Sequence, residues 1–189
     1  RDHAYTVFDF ARELAAVLPA GGRGSFESRL QEGTVREIQT AVANLLRRLK
    51  AETQLELAMR YVRHAYAHGN LEVRNFCLAL LPELLDRKGE VETLLQVLTD
   101  EDFRIRCQVL DRLGELQAEE GADLIVRFLN DEVWKVRKAA ATCLERLDLG
   151  KTLEPLIVFY ARAKEEMPDR IRARLMGEVG AKDFHRLED

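Results

Sequence analysis

Few residues in this chain have the type and spacing to do chemistry. His64 and His68 stand four apart in HAYAH, a spacing that on a helix puts both imidazoles on one face and permits them to share a metal ion. The zinc-hydrolase form of that motif needs Glu directly after the first His as general base, and Ala65 stands there instead. With no further ligand close in sequence, the expectation is no metal and no cofactor. Both histidines then sit exposed near a helix end, where a cationic form suits the helix dipole. The stretch from Ala20 to Ser25, AGGRGS, has glycines but lacks the Gly-Lys-Ser/Thr ending of a phosphate-binding loop. It reads as a flexible connection, with Ser25 as the cap of the next helix. Cys77, Cys107 and Cys143 are widely separated and form no CxxC pair, which argues against a disulfide framework and against a thiolate zinc site. On apolar helix faces they act as small hydrophobes. No glycine elbow marks an activated Ser or Cys, so the chain is not expected to be an enzyme.

Trp134 is the only tryptophan, and Lys135, Arg137 and Lys138 surround it. That grouping could stack a base or grip a phosphate. The charge balance opposes this reading: 29 basic residues face 33 acidic ones, for a formal charge of -4, and Asp131, Glu132, Glu145 and Asp148 lie close to the cations. A broad phosphate-tracking face does not emerge. Trp134 is better suited to packing between structural units or to anchoring a protein partner. No stretch free of Asp, Glu, Lys and Arg exceeds nine residues, well short of the ~18 apolar residues of a membrane span. Together with the cysteine usage, this suggests a cytoplasmic location. The chain begins at Arg1 rather than Met, which suggests a domain of a larger protein.

The elements that must position these residues are helices. Four prolines and 11 glycines punctuate a chain of 189 residues, and apolar positions recur three and four apart. Between Thr34 and Lys50, the positions Val35, Ile38, Val42, Leu45, Leu46 and Leu49 make one stripe, with Thr34 as cap. Breaks are expected at 20–25, 68–70, Lys88 and Gly89, Gly121, and Gly150. Pro82 falls inside one helix, where it removes a backbone donor and bends the axis.

Repetition organises the helices. Val73-Arg74, Ile105-Arg106, Val136-Arg137 and Ile171-Arg172 recur at spacings of 32, 31 and 35 residues. Five residues before the β-branched position stand His68, Asp100, Asp131 and Glu166, and four after the Arg come Leu78, Leu110, Ala141 and Met176. A second apolar set follows in each of three copies: Leu94, Leu95 and Leu98; then Leu124, Ile125, Phe128 and Leu129; then Leu156, Ile157 and Tyr160. Each copy is a helical hairpin whose apolar faces exceed what one hairpin can cover, so neighbours must stack. The recurring Arg, with its planar fork near an acidic turn, is expected to bridge carboxylates and carbonyls of neighbouring turns as a charge ladder.

In DEDFRIRCQVLDRLGEL and DEVWKVRKAAATCLERL the pattern resembles short HEAT-like repeats. The resemblance implies an all-α fold, a right-handed α-solenoid of stacked antiparallel helical hairpins. The expected layout is an N-terminal helical cap and Gly-rich connection over 1–33, then one continuous repeat body over 34–189. Clear copies span 70–100, 100–130 and 131–163, with a partial copy over 168–189. Such repeats bind other proteins on a concave face lined by second helices. The candidate partner-binding residues are therefore Thr93, Gln96, Glu120, Asp123, Arg127, Trp134, Lys151, Glu154 and Arg162. Their mixed signs suit a peptide, helix or folded domain better than a uniformly charged polymer, so the expected role is a scaffold or adaptor. Two alternatives come with the resemblance. DEVWKVRK is similar to the Trp-Arg segment of HEAT-like alkylpurine DNA glycosylases, although no tryptophan closely followed by aspartate supplies that family's second element. Short HEAT-like repeats also occur in phycobilin lyases, and that resemblance implies chromophore handling.

Overall fold

A computed structural model describes residues 4–18, 20–147, 149–163 and 172–173. Its α-helices are α1 (Val7–Ala15), α2 (Ala20–Glu32), α3 (Val35–Ala51), α4 (Leu55–His68), α5 (Leu71–Leu84), α6 (Arg87–Val97), α7 (Phe103–Glu115), α8 (Ala122–Arg127), α9 (Trp134–Arg146) and α10 (Leu149–Ala163). Short 3-10 turns, Glu119–Gly121 and Phe128–Asn130, flank α8. Among the described residues there is no strand, only an isolated parallel bridge between Tyr5 and Gly69. The described residues are all-α and built of helical repeats, and the chain divides into two compact units, residues 1–90 and 91–189.

In the first unit, local chemistry fixes the helix starts. Thr34 and Glu37 form a reciprocal capping box: the Glu37 carboxylate accepts from the Thr34 backbone N–H at 2.7 Å, and Thr34 Oγ1 accepts from the Glu37 N–H at 3.4 Å. The bond from the Thr34 N–H holds the Glu37 carboxyl below the ordinary carboxylate range. Asn70 caps α5 by accepting from the Val73 N–H at 3.0 Å. The apolar stripe of α3 then buries Ile38, Val42, Leu45, Leu46 and Leu49, while Val35 remains exposed. Phe10 and Leu14 of α1 are fully buried, and Phe10 meets Phe76 of α5 edge-on.

Three of the expected breaks lie elsewhere. The Gly-rich stretch from Ala20 to Ser25 is helical, as the first half of α2 rather than a connection, so Ser25 is an interior residue and not a cap. Packing of α2 on α1 and the Arg23 guanidinium, which donates to the carbonyls of Ala16 and Leu18, outweigh the low helix propensity of glycine. The break expected at Lys88 and Gly89 falls at Leu85 and Asp86, because the Asp86 carboxylate accepts from the Gly89 N–H at 2.8 Å and starts the helix earlier. Gly150 likewise lies inside α10.

In the second unit, α7 packs along α9 and α8 packs on α10, so equivalent helices of successive hairpins lie side by side. Small residues permit this closeness: a Cβ on Gly114 would stand 3.2 Å from the Cys143 Cα, and Ala140 and Ala141 are buried on α9. The second helix of the middle hairpin is shorter than the apolar pattern suggests, since Leu124 and Ile125 lie in a six-residue α8 while Phe128 and Leu129 continue as a 3-10 turn.

The repeated Arg does the same work twice. Arg106 Nη1 donates to the carbonyls of Asp100 and Glu101 at 2.8 and 3.1 Å. Arg137 Nη1 donates to those of Asp131 and Glu132 at 2.7 and 3.1 Å. Asp100 and Asp131 each accept from the N–H two residues on, at 2.8 Å. Arg106 also crosses to the next copy, where Nη2 donates to Asp131 Oδ1 at 3.1 Å. Its Nε is 3.0 Å from Oδ2, close enough for an ion pair but off the hydrogen-bond axis. This is one rung of the expected ladder. The rung that would join Arg137 to Glu166 falls outside the described residues. In the first copy, where His68 replaces the acid, Arg74 Nε donates to the Gly69 carbonyl at 3.2 Å.

The Arg106 and Asp131 side chains are 8% and 9% exposed, so removing either partner strands the other's charge. Arg106→Ala should lower unfolding stability in urea by about 3–5 kcal/mol. Arg104→Ala, whose side chain is 59% exposed, should leave the urea midpoint unchanged. Gln117 ends α7 with φ 49° while the Ala118 N–H closes onto the Leu113 carbonyl at 3.1 Å, a left-handed capping position that favours glycine. Gln117→Gly should therefore raise stability by about 1 kcal/mol in the same titration.

Candidate interaction groove

The second unit carries an open groove of about 580 Å³ whose walls come from three elements. On α10, Glu154, Val158 and Arg162 line it, and their spacing of four places an acid, an apolar side chain and a base along one face. Pro155 and Phe159 of the same helix flank them, Val126, Leu129 and Asn130 form the opposite side, and Trp134 and Arg137 of α9 close it. The volume is in the range of single-ligand and anchor pockets.

Trp134 is the fixed point. As the first residue of α9 it projects from a helix start, where Phe159 stacks on it at 5.8 Å between centroids and 15° between planes. The Arg137 guanidinium lies over the indole at 5.0 Å, a cation–π contact. The same guanidinium is tied to the turn carbonyls described above, so indole, phenyl and arginine form one braced stack. Tyr160, beside Phe159, donates its hydroxyl to Glu145 of α9 and holds α10 against that helix. Despite this bracing, Trp134 is 37% exposed and Val158 is 42% exposed. Among the described residues, the only other large hydrophobic side chain so exposed is Val35. Two of the three thus share one groove, which singles it out as an unsatisfied surface.

Of the residues singled out in the sequence, Trp134, Glu154 and Arg162 meet here. Gln96, Glu120, Asp123 and Arg127 are exposed but do not line the groove. Thr93 is half-buried. The Lys151 side chain lies outside the described residues. Sequence reasoning missed Val126, Val158 and Phe159. The available signal was the run PLIVFYA, which has more apolar positions than one buried stripe needs.

The other candidate chemistries resolve differently. The helix brings His64 and His68 together, with ring centroids 4.5 Å apart, and the fold adds a distant residue, Glu13, whose Oε2 is 3.4 Å from His64 Nε2. Tyr5 donates to the same Glu13 oxygen at 2.9 Å. Burial first, and then this bond, hold the Tyr5 hydroxyl well above its ordinary range. Among the described residues, no three His, Cys, Asp or Glu side chains are arranged to hold a metal ion. Cys77, Cys107 and Cys143 are free thiols. Burial pushes Cys77 and Cys143 up to about 12 and raises Cys107 as well. None of the three has the depressed value of an activated thiolate.

No helix among the described residues is long and apolar enough to cross a membrane. No curated protein and no solved structure matches the chain. Residues 91–176 match the family model for HEAT repeats. The matched stretch contains both hairpins joined by the Arg106–Asp131 rung and the whole groove. Over that stretch the chain is similar to HEAT repeats.

Proposed function

We propose that this protein is an interaction module, a scaffold or adaptor that binds another protein through the second-helix face of its HEAT repeats. The observation that carries this reading is the coincidence of Trp134 and Val158, both exposed, in one groove whose walls are held in place. Exposed apolar side chains that rigid packing keeps from collapsing are the usual energetic centre of an interface, with polar neighbours forming the rim. Gln96, Glu120, Asp123, Arg127, Glu154 and Arg162 are exposed and of mixed charge, and Thr93 and Lys151 belong to the same series of second helices. Mixed signs support a protein partner over a polyanion. The engagement of the Trp134 ring by Phe159 and Arg137 leaves it more a wall than a platform for stacking a base. A reducing compartment, the cytoplasm, fits three free cysteines.

Affinity capture from native lysate tests the reading. The wild-type chain should retain a specific protein that Val158→Asp loses, with Asp123→Lys plus Arg127→Glu reporting whether the contact extends along the face. Both variants alter exposed side chains, and circular dichroism should show an unchanged helical signal. Recovery of nucleic acid or of a pigment in place of a protein, or retention unaffected by Val158→Asp, would overturn it.

A further inference from the structure

We infer that the groove's occupant is an amphipathic helix with an acidic flank, docked with its apolar stripe against Trp134 and Val158 and a carboxylate against Arg162. The inference rests on the proposed interaction role and names the chemistry of the partner. A helix fits because the groove is itself a furrow between helical segments, α8 with its following turn on one side and α10 on the other. An amphipathic helix laid in a groove is read by apolar anchors one turn apart, while strand addition needs a sheet edge, and no strand exists among the described residues to offer one.

Charge sets the flank. The lining carries two guanidiniums, Arg137 and Arg162, against one carboxylate, Glu154, on a chain whose formal charge is -4. The groove is thus a locally cationic site on an acidic protein. Arg162 is exposed, and among the described residues it has no ion-pair partner. Arg137 is already committed to two carbonyls and to the indole, so Arg162 is the guanidinium able to turn toward a ligand. A planar fork at a groove end favours a carboxylate. Glu154 and Arg162 are eight residues apart on α10, a separation of about 12 Å along the axis. Between them Val158 offers an apolar contact one turn from each. A ligand helix meets this pattern with one apolar residue against Val158, flanked at a distance of one turn by an acid that faces Arg162.

Because Trp134 is the only tryptophan, its fluorescence reads the groove without a label. The probes are two synthetic helical peptides free of tryptophan, with the same leucine stripe, one flanked by Glu and the other by Lys. The Glu-flanked peptide should shift the Trp134 emission and bind about tenfold more tightly than the Lys-flanked one. The preference should shrink as salt rises. Arg162→Glu, an exposed substitution that keeps the tryptophan, should reverse it. Equal or stronger binding of the Lys-flanked peptide, or a preference untouched by Arg162→Glu, would overturn the inference. An emission change that depends on protein concentration alone would place a second copy in the groove and also overturn it. If neither peptide binds while lysate capture still depends on Val158, the acidic-helix assignment fails and the interaction role stands. If capture is lost as well, both fail.

Discussion

The second unit hangs on the Asp131 carboxylate. Its Oδ1 accepts from Val133 to shape the turn into α9 and also from Arg106 of the preceding hairpin. One side chain therefore ends one repeat's connection and fixes its register on the next. Burying such a pair costs several kcal/mol of desolvation per ion, which mutual attraction alone does not reliably offset. What tips the balance is the number of bonds made on the way. Arg106 spends Nη1 on the turn carbonyls of Asp100 and Glu101, and such groups would be costly if buried unsatisfied. The rung is thus a device for satisfying turn backbone as much as an ion pair.

The apolar faces supply the driving force and the rung supplies the register. Ile105, Val109, Leu110 and Leu113 on α7 and Val136, Ala140 and Leu144 on α9 are all fully buried, which only side-by-side first helices accomplish. Leucine stripes are permissive about sliding by a turn, because one methyl group packs much like another. One hydrogen bond and one ion-pair contact to a single buried carboxylate are not permissive. With Gly114 set against the Cys143 backbone, the pair of helices has one close approach and one polar lock.

Periodicity made the helices legible, and the recurrence of Arg at near-constant spacing made the stacking legible, because both encode contacts that every repeat must make. The helix ends were less so. The helicity of AGGRGS depends on Arg23 reaching back to the end of α1, a tertiary contact that overrides propensity. The start of α6 turns on Asp86, a cap three residues ahead of the glycine that reads as a break. At the groove, Trp134 stood out by rarity and Glu154 and Arg162 by helical position, but Val158 and Phe159 are ordinary members of an apolar run. Which of them faces outward follows from how α10 lies on α8 and α9, and no residue in the run states that by itself. Glu13 beside His64 was out of reach for the same reason, since α1 and α4 meet only in the fold.

The braced state of Trp134 bears directly on what the groove can do. An exposed tryptophan on a mobile loop would lose rotamer freedom on binding, and that loss is subtracted from affinity. Here Phe159 and Arg137 already hold the ring, and Arg137 is held in turn by two turn carbonyls, as Arg106 is in the preceding hairpin. The contact that shapes the turn into α9 is therefore the one that fixes the indole, so the ordering cost is met when the protein folds and not when a partner arrives. The same coupling explains why the site can sit at a helix start without a dedicated scaffold. The repeat's structural arginine serves as its support, and a single aromatic residue placed three positions earlier turns a generic hairpin into a surface with a preferred ligand geometry.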